Sequence, residues 1–275
     1  MTGWRHLQDI QLSPYRNSIG EIGILDVSAS SHAAAAIILA AGMGRRLHAT
    51  EDRPKILLEF GGSTLLARHL AALRAHGVDH VSITVGHQQA LIRAEVARLG
   101  LSGRVTFVEN PRYREGSLVS LAAQGAWLRA GTPVLLMDGD VLYDQRMIAS
   151  LLDTPHENVL LLDREIEPGD EPVKICFRGD SIVDFRKQPE HAHDRYGESV
   201  GFFRFSAAMA AALADRCDAY VQSGQASVEY EEAIRDLILA DPARFSAVDI
   251  TALPWVEIDF PADVQRARNE ILPRL

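Results

Sequence analysis

What most constrains this chain is a recurring order of segments: an apolar run, a glycine turn, then a helical pattern. The first apolar run, residues 35–40 (AAIILA), is followed by others at 79–85, 104–109 and 133–137, with helical patterns over 63–76, 88–98 and 117–129 between them. Leu65, Leu66, Leu70 and Leu73 mark the first helical face, with Ser63 or Thr64 placed to cap it and Gly77 to end it. Strands separated by helices lie parallel, so the expected class is α/β, a wound mixed sheet, mostly parallel.

From about residue 157 the rhythm shifts to short strands with turns, at 158–162, 172–177, 181–186 and 200–205. We read 157–206 as a small β-rich insertion. Helices return at 207–222 and 228–240, and the chain closes on a short strand, Trp255 to Ile258, and a helix opening at Pro261, where proline suits the first turn. Residues 1–33 carry no sustained period and read as an N-terminal arm without chemistry, leaving 34–275 as a single domain.

Composition removes several function classes. A formal charge of −9 disfavours nucleic acid or an anionic membrane surface as partner, so any phosphate chemistry has to be local. The apolar stretch 33–41 superficially resembles a secretion signal, but it begins deep in the chain and is far short of the roughly 18 apolar residues of a membrane span. Membrane insertion is therefore not expected. Cys176 and Cys217 are far apart and lack a C-x-x-C partner, which points to a reducing cytoplasm rather than to a zinc site or disulfide framework.

Chemistry concentrates after the first strand. Leu39-Ala40-Ala41-Gly42-Met43-Gly44-Arg45-Arg46-Leu47 lies at the carboxyl edge of the sheet, where ligands bind in open α/β folds. Glycines let backbone N–H groups approach phosphate, and arginine adds a matching fork of donors. Spacing excludes both the G-x-G-x-x-G fingerprint and the G-x-x-x-x-G-K-[ST] loop, and a bland strand-to-helix turn would account for the glycines alone. Arg53-Pro54-Lys55 follows, with Lys55 placed to stabilise a transferring phosphoryl group.

LAAGMGRRL, then RPK, then GG-x-T-L-L resembles the nucleotidyltransferase superfamily that joins nucleoside triphosphates to phosphorylated small molecules. The resemblance spans about residues 35–270 and implies a Rossmann-like sheet, a glycine loop over the nucleotide, and catalytic roles for Arg46 and Lys55. Asp138 and Asp140 end the fourth strand at the same edge, where hard carboxylate oxygens suit Mg²⁺. The resemblance assigns Asp140 to the metal and takes Asp259, in EID-x-P, as its second ligand; on residue type alone Asp259 is equally an N-cap, Asp263 a first-turn charge and Glu257 a surface charge.

The stretch from Asn110 to Leu121, with Ser117 and Ser120, is similar to the NP-x-Y segment of choline-phosphate and aminoethylphosphonate cytidylyltransferases, with Ser117 replacing the family asparagine. The resemblance implies nucleotide contacts from Leu39 to Arg45 and from Ser117, Ser120 and Asp138. It also implies acceptor contacts from Lys187, Glu198, Tyr230 and Glu231, for each of which an exposed surface role is the plainer alternative.

The expected activity is Mg²⁺-dependent transfer of CMP from CTP to a small phosphorylated or phosphonate compound, of phosphocholine or 2-aminoethylphosphonate type, with release of pyrophosphate. One alternative is a sugar 1-phosphate nucleotidyltransferase using UTP or dTTP. Another is a non-catalytic nucleotide-binding regulatory subunit. A homo-oligomer is compatible with the sequence but not indicated by it.

Overall fold

The computed structural model describes residues 34–47, 53–166 and 170–275; the arm at 1–33 lies outside them. In chain order the strands are β1 Ala35–Ala40, β2 Glu59–Phe60, β3 Ser63–Thr64, β4 His80–Val85, β5 Val105–Glu109, β6 Val134–Asp138, β7 Val141–Tyr143 and β8 Asn158–Asp163. They continue with β9 Lys174–Arg178, β10 Ser181–Arg186, β11 Arg195–Phe205, β12 Phe245–Asp249 and β13 Trp255–Glu257. The helices are α1 Leu65–Ala75, α2 Gln89–Arg98, α3 Ser117–Ala122, α4 Gly125–Leu128, α5 Arg146–Leu152, α6 Ala207–Gln222, α7 Tyr230–Ala240 and α8 Pro261–Arg266.

β1 lies between β4 and β6, with β5 beyond β4, and these four strands are parallel. Both faces of β1 are covered, which is why its sequence is a continuous apolar run rather than an alternation. Ala36 and Ile38 pack into a layer with Leu65, Leu66, Leu70 and Leu73 of α1, while Ile37 faces Leu118 of α3, Leu213 of α6 and Ile234 of α7. Thr64 caps α1, its hydroxyl accepting from the Ala67 amide at 3.1 Å.

The β-rich stretch joins this sheet antiparallel. β11 pairs with β9 through its first half and with β6 through its second, and β8 runs along its other edge. Its register shifts between Ser199 and Phe203, around Gly201. Gly201 has a φ of +74° and lies against the Asp138 carboxylate, where a Cβ would collide, so only glycine fits the bend.

Two differences from the sequence reading have local causes. The helix expected over 117–129 divides into α3 and α4, because the buried Gln124 side chain reaches into β4. There its amide accepts from Ser82 Oγ and donates to Thr84 Oγ1, both at 2.8 Å. β7, α5 and β12 were not anticipated; β7 is three residues long and pairs only with β13, so no period marks it.

Candidate active site

The register of the parallel strands places the end of β1 beside the end of β6, with Leu39 opposite Asp138. The turn after each strand therefore opens at one edge of the sheet. Gly44 takes a φ of +60°, and a Cβ there would press on the Lys55 side chain, 3.3 Å from Cγ. The glycine turn thus gives Lys55 its path across the cleft.

Lys55 Nζ donates to Asp140 at 2.8 Å and to Asp259 at 2.5 Å. Burial alone would lower the ammonium pKa, but the two carboxylates outweigh it and hold the pKa above the usual lysine range. Burial conversely favours a neutral Asp259, yet Lys55 and Arg46 keep its pKa below the ordinary carboxylate value. Arg46 donates to Asp259 and to Glu171, each at 2.9 Å.

The Asp138-Gly139-Asp140 turn is fixed from beneath by buried His69, whose Nε2 lies 3.2 Å from the Gly139 carbonyl. Burial pushes the pKa of that imidazole down to about 4, so it is neutral and donates. Desolvation, then Asp140 and Glu231, raise the Asp138 pKa well above normal, and Tyr230 donates its hydroxyl to Asp138 Oδ2 at 2.7 Å.

Asp140, Glu257 and Asp259 bring three carboxylate oxygens within 4.8 Å of one another. Desolvation, followed by the charges of Asp140, Asp259 and Asp138, holds the Glu257 carboxyl well above its usual pKa. Three hard oxygen donors, with the lysine ammonium drawn between two of them, match the needs of a small divalent cation, and the residues fit Mg²⁺. Asp259 does not cap α8; the Asp263 carboxylate does, accepting from the amides of Asp259 and Phe260 at 2.9 and 2.6 Å.

The second half of the cleft comes from the β-rich stretch and α7. Lys187 Nζ donates to Glu229 at 3.0 Å and to Glu171 at 3.1 Å. Glu198 stands opposite Asp163 across β11 and β8, and burial with that neighbouring charge pushes its carboxyl up to about 7. Ser117 Oγ accepts from the Tyr230 amide at 2.9 Å, joining the start of α3 to the start of α7. Ser120 Oγ accepts from buried Asn110 at 3.0 Å.

The site residues that the resemblance implies line one cleft of about 740 Å³: Leu39 to Arg46, Lys55, Ser117, Ser120, Asp138, Asp140, Lys187, Glu198, Tyr230, Glu231 and Asp259. Arg53, Tyr143, Phe202 and Glu232, which the sequence also offered, do not line it. Glu257, Glu171 and Glu229 line it as well, and the sequence did not single out the last two at all. Glu257 reaches Asp140 only because β13 pairs with β7, with Glu257 opposite Val141. The nearest signal was its place two residues before Asp259 at a strand end.

A wound sheet with a glycine turn, a lysine and an acidic triad at its carboxyl edge defines a nucleotidyltransferase. The chain belongs to the MobA-like NTP transferase domain family, whose model matches residues 36–200. It is 28% identical over 242 residues to the "Bifunctional IPC transferase and DIPP synthase" of Rubrobacter xylanophilus, covering 86% of this chain and 52% of that protein. It is 29% identical over 251 residues to the "CMP-5'-(3-aminopropyl)phosphonate synthase" of Streptomyces rubellomurinus, covering 86% of this chain and 39% of that protein. The chain thus spans about half or less of these relatives' length. Among solved structures it is similar to the inositol-1-phosphate CTP transferase from T. maritima, with a TM-score of 0.71, 20% identity, and coverage of 88% of this chain and 96% of that one. No helix among the described residues is long and apolar enough to cross a membrane.

Proposed function

We propose that this chain transfers CMP from CTP to a small phosphorylated or phosphonate compound, of phosphocholine or 2-aminoethylphosphonate type, and releases pyrophosphate. The observation that carries this reading is Lys55, held between Asp140 and Asp259 beside the glycine turn. The activities of similar proteins, a CMP-phosphonate synthase and a CTP transferase, support cytidine as the nucleotide.

In this reading the amides of Ala41 to Arg45 take the triphosphate, and Arg46 and Lys55 neutralise it. Asp140, Asp259 and Glu257 would hold Mg²⁺, which would supply further charge neutralisation to the phosphates. An acceptor oxygen, oriented from the Lys187 side, attacks the α-phosphorus in line as the bond to the pyrophosphate oxygen breaks. The negative charge passes to pyrophosphate, and the protein contributes no nucleophile. Lys55 would turn from its two aspartates to the phosphates. We place the enzyme in the cytoplasm, consistent with buried, free Cys176 and Cys217.

Pyrophosphate release with Mg²⁺ is the test, measured for CTP, UTP, ATP, GTP and dTTP against non-sugar phosphates, phosphonates and hexose 1-phosphates. Selective CTP turnover with a non-sugar acceptor is expected. Turnover confined to UTP or dTTP with a hexose 1-phosphate overturns the proposal.

A further inference from the structure

Beside the main cleft lies a side pocket of about 280 Å³, lined by Asp170, Arg186, Lys187, Glu229, Glu231 and Glu232 among others. Lys187, Glu229 and Glu231 line both spaces, so the pocket continues the acceptor half of the cleft. Its charges are unevenly satisfied. Arg186 is paired with Glu190 and Glu232, and Arg235 with Asp184 and Glu190. Glu231 differs: its Oε2 is buried and has no hydrogen-bond partner.

A buried carboxylate oxygen without a donor is costly, and structures retain one where a ligand supplies the donor. Burial and the neighbouring Glu229 already push the Glu231 carboxyl up to about 8, the response of a site short of positive charge. Acceptor binding deepens the shortage. A phosphate or phosphonate taken by Lys187 draws that ammonium from Glu229, and the charge of Glu229 then bears on Glu231 with less compensation.

Resting on the cytidylyltransferase reading above, we propose that the acceptor is zwitterionic, with its phosphate or phosphonate at Lys187 and a primary ammonium group donating to Glu231 in the side pocket. The cation has to bring N–H donors. A quaternary ammonium would need open aromatic faces, and those near the cleft are engaged. Trp255 and Tyr230 are buried, donating to Asp163 and Asp138 at 2.7 Å each, and the rings of Phe260 and Tyr113 lie under the Arg46 and Arg114 guanidinium groups. A neutral polyol phosphate would leave the two glutamates uncompensated.

The test compares kcat/KM for 2-aminoethylphosphonate, phosphoethanolamine, phosphocholine, inositol 1-phosphate and ethylphosphonate, with CTP and Mg²⁺ and the full chain. Primary amines are expected to exceed the other three by about a hundredfold, the scale of leaving a buried charged partner unpaired. Glu231→Gln is expected to erase most of that preference through the acceptor KM, with the CTP KM unchanged and the melting temperature within a few degrees of wild type. If that variant does not fold, the wild-type ranking decides alone. Turnover of CTP with phosphocholine or inositol 1-phosphate at or above the amine rate overturns the zwitterion proposal while leaving the transferase reading intact. No CTP turnover with any acceptor overturns both.

Discussion

The two halves of the cleft solve the same electrostatic problem at different depths. In each, one lysine is shared by two carboxylates: Lys55 by Asp140 and Asp259, Lys187 by Glu171 and Glu229. On the Lys55 side the three side chains are 18–25% exposed, whereas on the other Lys187 is 31% exposed and its glutamates about 50%. Water screens the second cluster and much less the first, so the shorter ion pairs of the Lys55 cluster are also the less screened. The deeper cluster is suited to charge that changes during reaction, and the shallower one to an anion that has to enter and leave.

The largest expected effect breaks the deep cluster. Lys55→Met should lower kcat by about a thousandfold, the scale of removing a pre-organised charge stabiliser, with CTP affinity by calorimetry changed little. It also takes the lysine from the Asp140, Glu257 and Asp259 cluster, leaving Arg46 on Asp259. Mg²⁺ should therefore raise the melting temperature of the variant more than that of wild type. The same substitution at Lys187 should act mainly on the acceptor KM; an equal kcat loss from both would dissolve the distinction between the halves.

The acceptor half is mounted on a second buried ion pair. Asp184, fully buried on β10, accepts from Arg235 Nε of α7 at 2.6 Å and from the amides of Phe185, Glu190 and His191. That network ties the segment after Lys187 to the helix bearing Tyr230 and Glu231. Arg235→Met leaves a buried carboxylate unpaired and should cost about 3–5 kcal/mol of stability, read by denaturant unfolding. A loss below about 1 kcal/mol would show that the backbone amides suffice.

Much of this was legible in sequence, unevenly. The strand over 35–40 was read at its observed bounds, because burial on both faces leaves an unbroken apolar run. The glycine turn, Lys55, Asp140 and Asp259 could be singled out because each lies in a short segment carrying its own signal. Glu257 read as a surface charge and is exposed, but its place beside Asp140 and Asp259 was hidden, since that depends on strands β7 and β13 meeting across more than a hundred residues. Glu171 and Glu229 were likewise silent: they matter only through Lys187, from which they are distant in the chain. Local motifs reveal the nucleotide half, whereas in the acceptor half the sequence offers Lys187, Glu198, Tyr230 and Glu231 singly and folding alone supplies the partners of Lys187.

Carboxyls of opposite habit meet within the acceptor half. Glu198 and Glu231 bind protons more tightly folded than unfolded, with pKa values pushed up to about 7 and about 8. Their contribution to stability is full below the unfolded value of about 4.5 and is lost as pH rises through 7 and 8. Asp184, held low against its burial by Arg235 and the three amides, contributes above its unfolded value of about 3.9 and loses that as pH falls. Melting temperature should decline from pH 5 to 8.5, and Glu198→Gln should flatten that decline. An unchanged slope in the variant would remove Glu198 as its source.

The smallest expected effect lies at the seam. Glu171 accepts from Arg46 of the nucleotide half and from Lys187 of the acceptor half, in ion pairs exposed enough to contribute only about 0–1 kcal/mol. An acceptor anion has to displace this carboxylate to reach either cation, so Glu171 competes with substrate. Glu171→Ala should lower the acceptor KM a few-fold, leave the melting temperature within about a degree, and make the KM less sensitive to salt. A raised KM would instead make Glu171 an acceptor ligand, and the two lysine clusters would then be a single continuous site.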